Sequence, residues 1–244
     1  MDIGSLDFWI SLGKIVWVDL LLGGDNAVVI ALAVRSLPPA QQRRAILWGT
    51  GAAIMMRVAL TFVAAGLMSL PWLKLAGAGL LLYIGVTLLL PEKPHTAGEH
   101  APISSIWSAM RTILMADLAM SVDNVLAVAA AAKGSLLLLV LGLGISIPIV
   151  IFGSTLLLRL IERLPVVIWL GAGLLGFIAG EIAVADAAAA EVTAGIAGWL
   201  GVSPGWLGVI AGAIGAGFVI MLGHLLLRRR QTLPPGGRTP PLRK

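Results

Sequence analysis

The sequence predicts an all-α integral membrane protein of about seven transmembrane helices, built as a 3+3 inverted repeat plus one additional C-terminal helix. Three observations lead there. The 244 residues are 59% hydrophobic and only 12% charged, with a mean hydropathy of +0.99, whereas soluble domains carry roughly 25% charged residues. Apolar stretches of about 20 residues, the length that crosses a bilayer, follow one another along the chain and leave no room for a separate soluble domain. Two segments of the first half also return in the second.

The expected spans are 15–34, 45–69, 72–90, 113–132, 135–158, 164–185 and 205–227. Turn-forming or charged segments part them: RSLPPAQQRR, SLP, PEKPHTAGEHAP, KGS, RLIERLP and GWLGVSPG. Residues 1–90 form the first three-helix repeat and 91–112 a cytoplasmic linker. Residues 113–185 form the second repeat, and 186–227 an external loop with the seventh helix. The basic, proline-rich tail 228–244 is cytoplasmic and expected to lack regular structure.

Orientation follows from the basic residues. With the N-terminus outside, Arg35, Arg43, Arg44, Lys93, Arg111, Arg159, Arg163 and six residues of the tail lie inside, thirteen in all, against Lys14, Lys74 and Lys133 outside. This bias sets the C-terminus in the cytoplasm. It also explains the pI near 10.2 as a topology signal, so no nucleic-acid partner is expected. The absence of cysteine excludes disulfides, thiolate zinc sites and thiol catalysis. Asp2 and Asp7 do not suit the basic start of a secretory leader, so none is expected.

The repeat is specific. DLLLGGDNAVVIALA at 19–33 returns as DLAMSVDNVLAVAAA at 117–131, offset by 98, and LPWLKLAGAGLLLYI at 70–84 as LPVVIWLGAGLLGFI at 164–178, offset by 94. The difference fits a shorter connection after the fourth span than after the first. Three helices per unit is an odd number, so the second unit enters the membrane upside down. Inverted repeats of this kind recur in secondary transporters, with the site at their interface near the midplane.

The repeated motif places Asp19 and Asp25 in the first span and Asp117 and Asp123 in the fourth, each second acid followed by an amide, Asn26 or Asn124. An aspartate at the centre of a span costs about 2.5–3.5 kcal/mol on insertion scales, so four of them demand partners. In a regular helix residues i and i+6 stand about 9 Å apart along the axis, and the spacing alone makes no chelate. Gly23 and Gly24 are expected to let the first helix unwind. Two such helices meeting antiparallel would then gather Asp19, Asp25, Asn26, Asp117, Asp123 and Asn124 into a cage of hard oxygens, suited to Mg²⁺, Ca²⁺ or Mn²⁺ rather than Zn²⁺ or copper. The alternative is a buried electrostatic staple on Arg57. One arginine does not neutralise four carboxylates, which favours the cation site. Arg57 itself reads equally as a gate or as a counter-charge.

Other polar residues carry less. Glu181, in the place of Thr87 in the repeat, suits an interfacial role, and His224 suits helix packing. The paired GAGLL segments suit close helix contact. His95 and His100 are too sparse for a metal site.

At DLLLGGDN and DLAMSVDN the chain resembles the TerC family of membrane proteins, particularly its YjbE-type branch, over about residues 8–227. The family is similar in plan to the wider LysE-like group. The resemblance implies export of a divalent metal, chiefly Mn²⁺, across the bacterial cell (inner) membrane, by a transporter rather than an enzyme. It carries the family's acidic motif onto Asp19, Asp25, Asn26, Asp117, Asp123 and Asn124. The expected partners are the lipid bilayer and the metal ion, which is a transported substrate and not a cofactor; a homo-oligomer remains open. Two other classes compete: a membrane-protein assembly factor, and an intramembrane aspartyl protease. The acids' symmetric repeat and the absence of a GxGD segment count against the protease.

Overall fold

The computed structural model describes residues 5–67, 70–90, 103–132 and 135–232. Within them the chain forms eight α-helices, one 3₁₀ turn and no strand. The long helices are α1 (Leu6–Val34), α2 (Pro39–Leu67), α3 (Leu73–Leu89), α4 (Ile103–Ala132), α5 (Leu136–Arg163), α6 (Val166–Val184) and α8 (Pro204–Thr232). The 3₁₀ turn Ala187–Ala189 leads into the short α7 (Ala190–Leu200). Each of the seven expected spans falls on one long helix.

Four helical segments are long and apolar enough to cross a membrane: Pro39–Val63, Leu136–Arg163, Val166–Val184 and Pro204–Arg229. Leu6–Leu21 and Gly23–Val34, bent by 50° where they join, make a fifth if counted as one span. At 17 residues α3 falls short by length. Large apolar side chains, among them Trp48, Met55, Phe62, Phe152, Leu170 and Ile214, are exposed, as an apolar solvent allows.

Several boundaries differ from expectation: α1 starts at Leu6 and α2 at Pro39, before the expected spans, and α5 runs on to Arg163 through the expected break. Residues 103–112, expected as linker, are the first turns of α4. Ile103, Ile106, Trp107 and Met110 recur at helical spacing there, and Ile106 and Met110 pack on the core. The external loop contains α7, because Asp186 caps the preceding 3₁₀ turn, the alanine-rich stretch favours helix, and Gly201 ends it in the left-handed conformation at φ 66°. The last helix runs on to Thr232. The remainder of the tail, and His95 and His100, lie outside the described residues.

The packing crosses the two halves of the chain. α1 packs on α5, α2 on α4, and α3 on α6. Phe8, Leu12 and Ile15, from the start of α1, share one apolar cluster with Val128 and Ala132, from the end of α4. Ile30 to Val34, from the end of α1, share another with Ala109 and Ile113, from the first half of α4. α1 and α4 are therefore antiparallel. Ile15 and Ile113, one turn before Asp19 and Asp117, make matching contacts. Ile15 lies on Gly142 of α5 and Ile113 on Gly49 of α2, where an added Cβ would come within 2.9 Å of Ile113. The GAGLL segments also make the close contacts expected of them: Gly77 faces Ala119 of α4, and Gly171 faces Val28 and Leu32 of α1.

The closest seam joins α6 to α8, where Gly176 and Gly180 meet the backbone of Gly215 and Ala211. Small residues four apart let two helix backbones approach this way. Leucine at position 180 would overlap the Ala211 carbonyl and force the helices apart, overpacking that costs about 1–3 kcal/mol or more. Gly180→Leu should therefore lower both membrane accumulation and melting temperature in detergent, while Gly195→Leu on α7, where an added Cβ meets nothing within 4 Å, should leave both near the parent values.

Outside the spans, Asp186 ties α3 to α6. Its carboxylate accepts from the backbone N–H groups of Trp72 (3.0 Å), Leu75 (3.1 Å) and Ala188 (2.7 Å). These bonds hold Trp72 in a left-handed conformation, φ 72°, unusual for a bulky residue. Burial alone would raise the carboxyl's pKa, but the amide donors outweigh it and hold the group below its ordinary value. The stabilisation is thus full above the unfolded carboxylate value of about 3.9 and is lost as pH falls through the lower folded value. Asp186→Asn should lower the melting temperature at pH 7, and the gap to the parent protein should close as falling pH protonates the parent's carboxylate.

Candidate cation site

Asp19 and Asp117 stand at the midpoints of α1 and α4, and antiparallel packing brings them to the same depth. Arg57 reaches in from α2. Its Nη1 donates to Asp19 Oδ1, its Nη2 to Asp117 Oδ1, and its Nε to Ser121 Oγ at 3.1 Å. Ser121 in turn donates to Asp117 Oδ2 at 3.1 Å, and Asn26 Nδ2 donates to Asp117 Oδ1 at 3.2 Å. Asp19, Arg57 and Asp117 are only 4–5% exposed. A charge so buried survives only if paired and hydrogen-bonded, and each of these is.

The motif residues are thus brought together in part. Asp19, Asn26 and Asp117 meet, and the amide of one motif bonds to the acid of the other. Asp25 is half-buried and its Oδ1 accepts from the backbone N–H of Asn26 at 2.9 Å. Asn124 is partly buried on α4, and the side chain of Asp123 lies outside the described residues. Among the described residues no three acids or histidines stand close enough to hold a metal ion as arranged here. The staple on Arg57, set aside on charge count, is what occupies the centre: two of the four acids suffice to engage the guanidinium. α1 also bends at Leu21–Gly23 rather than unwinding, and both sides of the bend stay helical.

Two contributors have no acid to mark them. Ser121, between the acids of DLAMSVDN, completes the Arg57 network. Thr50 on α2 lines a cavity of about 30 Å³ beside the ion pairs, together with Asp19, Asn26, Ala53, Arg57 and Asp117. Glu181 is exposed near the end of α6, apart from this centre, and His224 stands beside Trp169 of α6 with ring centroids 6.2 Å apart.

Removing the guanidinium leaves two carboxylates buried together, whereas removing one carboxylate leaves a neutral pair. Breaking a buried pair from one side costs about 3–5 kcal/mol. Arg57→Gln should be strongly destabilised, Asp19→Asn much less so, and the Arg57→Gln/Asp19→Asn double variant should recover part of the loss. Melting temperatures of the four proteins in one detergent decide this.

Comparison with known proteins places this geometry in a family. The chain matches the family described as "Integral membrane protein TerC family" over residues 4–232. It is 49% identical over 181 residues to the uncharacterized membrane protein YjbE of Bacillus subtilis (strain 168), an alignment covering 74% of this chain and 82% of that protein. It is 29% identical over 127 residues to the uncharacterized membrane protein YkoY of the same organism, covering 51% of this chain and 39% of YkoY. It is 28% identical over 136 residues to the UPF0053 inner membrane protein YoaE of Escherichia coli (strain K12), covering 48% and 26%. No solved structure matches. The chain belongs to the TerC family of integral membrane proteins.

Proposed function

We propose that this protein exports a divalent cation, chiefly Mn²⁺, from the bacterial cytoplasm through a site between two inverted three-helix repeats. One observation carries the reading: equivalent acids of the two repeats, Asp19 and Asp117, converge across the repeat boundary on a buried centre at mid-bundle. The antiparallel α1 and α4, and the matched seating of Ile15 and Ile113 on glycines of the opposite repeat, support the inverted plan, one similar to that of the LysE-like group. The basic residues support an external N-terminus and a cytoplasmic C-terminus in the inner membrane.

In this reading Arg57 is a tethered cation that offsets part of the charge of Asp19 and Asp117 while the site is empty. An entering ion displaces the guanidinium and takes Asp19 and Asp117, with Asp25, Asn26, Asp123 and Asn124 from the same two helices completing the set. Carboxylate and carboxamide oxygens without thiol or imidazole suit Mn²⁺, Mg²⁺ or Ca²⁺. When the ion leaves, Arg57 returns to the two carboxylates and limits the negative charge left in the membrane. Alternating access would work around this fixed midplane site. The ion is a transported substrate; no cofactor and no enzymatic step enter the scheme, and the lipid bilayer is the only other partner it requires.

A second reading has an observation of its own. Arg57 bridges both acids in this structure, which would also serve a non-transporting protein, such as an assembly factor, whose acids merely hold the helices together. The two readings part at Asp25 and Asp123. Both Asp25→Asn and Asp123→Asn should reach the membrane at parent levels, since neutralising an acid lowers the insertion cost, and each should abolish Mn²⁺ export. Glu181→Gln should keep it. Cellular Mn²⁺ content and Mn²⁺ tolerance at matched expression are the measurement. Full export by either aspartate variant removes that aspartate from the proposed site, and a parent protein that lowers neither Mn²⁺ content nor Mn²⁺ sensitivity overturns the exporter reading in favour of the staple.

A further inference from the structure

Among the described side chains the helical threonines share one habit with a single exception. Thr61, Thr87, Thr112 and Thr155 each donate their hydroxyl to the carbonyl four residues back, and Thr193 to the carbonyl three back, at 2.7–3.1 Å. This local bond is the usual refuge of a threonine hydroxyl inside a helix. Thr50 forgoes it. Its side chain is buried, 3% exposed, and its Oγ1 has no hydrogen-bond partner among the described residues. Leaving a buried hydroxyl unsatisfied is unfavourable, and valine would fill the same volume without that penalty.

What Thr50 faces explains the choice. It lines the cavity of about 30 Å³ shared with Asp19, Asn26 and Asp117, otherwise walled by apolar side chains such as Val29, Ile54, Ile113 and Val150. A space of this size holds about one water molecule or one ion. A neutral hydroxyl oxygen is a hard donor that adds coordination without adding charge, the kind of ligand that tunes affinity and choice among Mg²⁺, Mn²⁺ and Ca²⁺. The repeat does not supply it twice. With Gly49 and Gly142 in matching positions against Ile113 and Ile15, the counterpart of Thr50 is Leu143, a buried core residue.

We propose that Thr50 is a specificity-determining ligand of the transported cation, its hydroxyl completing a one-ion cavity with Asp19, Asn26 and Asp117. This rests on the cation-export reading. The hydroxyl belongs to one repeat only, so the site is chemically lopsided although its acids are symmetric.

The test uses the purified full chain in lipid vesicles, with Mn²⁺ flux followed by a metal-quenched dye for the parent, Thr50→Val and Thr50→Ser. Thr50→Val should raise the Mn²⁺ concentration for half-maximal flux about tenfold, as expected for loss of one polar partner from a buried site, with little change in maximal rate. Thr50→Ser, which keeps the oxygen, should stay near the parent. The melting temperature of Thr50→Val should equal or exceed the parent's, because the substitution removes an unsatisfied hydroxyl. Unchanged half-saturation in Thr50→Val, with active parent protein, overturns the inference and leaves cation export standing. Equal impairment of Thr50→Ser and Thr50→Val overturns it too, since the methyl group would then be what matters. A parent protein that moves neither Mn²⁺, Mg²⁺ nor Ca²⁺ overturns the export reading and this inference with it.

Discussion

The guanidinium of Arg57, held between Asp19 and Asp117, is the contact around which the bundle is arranged. It joins α2 to α1 and α4 at one point, and all three helices must arrive there in register. Apolar clusters close over it on both sides, one containing Phe8, Leu12, Ile15 and Val128, the other Ile30, Leu32, Ala109 and Ile113. They exclude water, and in doing so make the pairing obligatory: a buried charge without its partner is far more costly than an exposed one. The antiparallel course of α1 and α4 is the geometric condition for two acids at equivalent positions to face the same arginine. The Arg57–Asp19 bridge lies within the first three-helix unit and the Arg57–Asp117 bridge crosses to the second, so Asp117 takes its counter-charge from the other unit.

The same contact sets the terms of the proposed chemistry. Carboxylates buried for a cation are costly while the site is empty, and an arginine on a neighbouring helix offsets part of that cost. The local symmetry of the acids is broken by Arg57, Ser121 and Thr50, which have no counterparts of like chemistry. Two units of similar shape thereby carry unlike duties: one presents the counter-charge and the hydroxyl from its second helix, and the other presents apolar residues such as Leu143 and Val150.

Much of this was legible in the residues. The long helices followed from apolar length, and the likeness of α1 to α4 from the doubled motif. The meeting of Asp19 with Asp117 followed from two antiparallel copies of one helix. What escaped had identifiable causes. The first turns of α4 hide in a stretch punctuated by serines, where only the spacing of Ile103, Ile106, Trp107 and Met110 reports the helix. α7 carries an Asp186 cap signal, an alanine run and Gly201, yet its small residues blur any apolar stripe. Charge counting set four carboxylates against one arginine, but contact is local: two acids reach Arg57, while Asp25 turns to the amide of Asn26. The bend of α1 without unwinding was also invisible, since a pair of glycines weakens a helix without stating which way it yields. Thr50 had no signal at all in the sequence, because only the surrounding helices show that its hydroxyl goes unclaimed.

The third helix of each unit is the short one, 17 residues in α3 and 19 in α6 against 28 to 30 in α1, α2, α4 and α5. At 1.5 Å per residue α3 rises about 26 Å, several ångströms less than the roughly 30 Å hydrocarbon core. A span that short has to be met by a thinner bilayer or by polar groups that follow it inward. Asp186 is such a group, since it covers the amides of Trp72 and Leu75 where the chain enters α3. If α3 crosses the membrane, lipid lying against it would be drawn towards the midplane, giving a dimple on that flank rather than a uniform thickness.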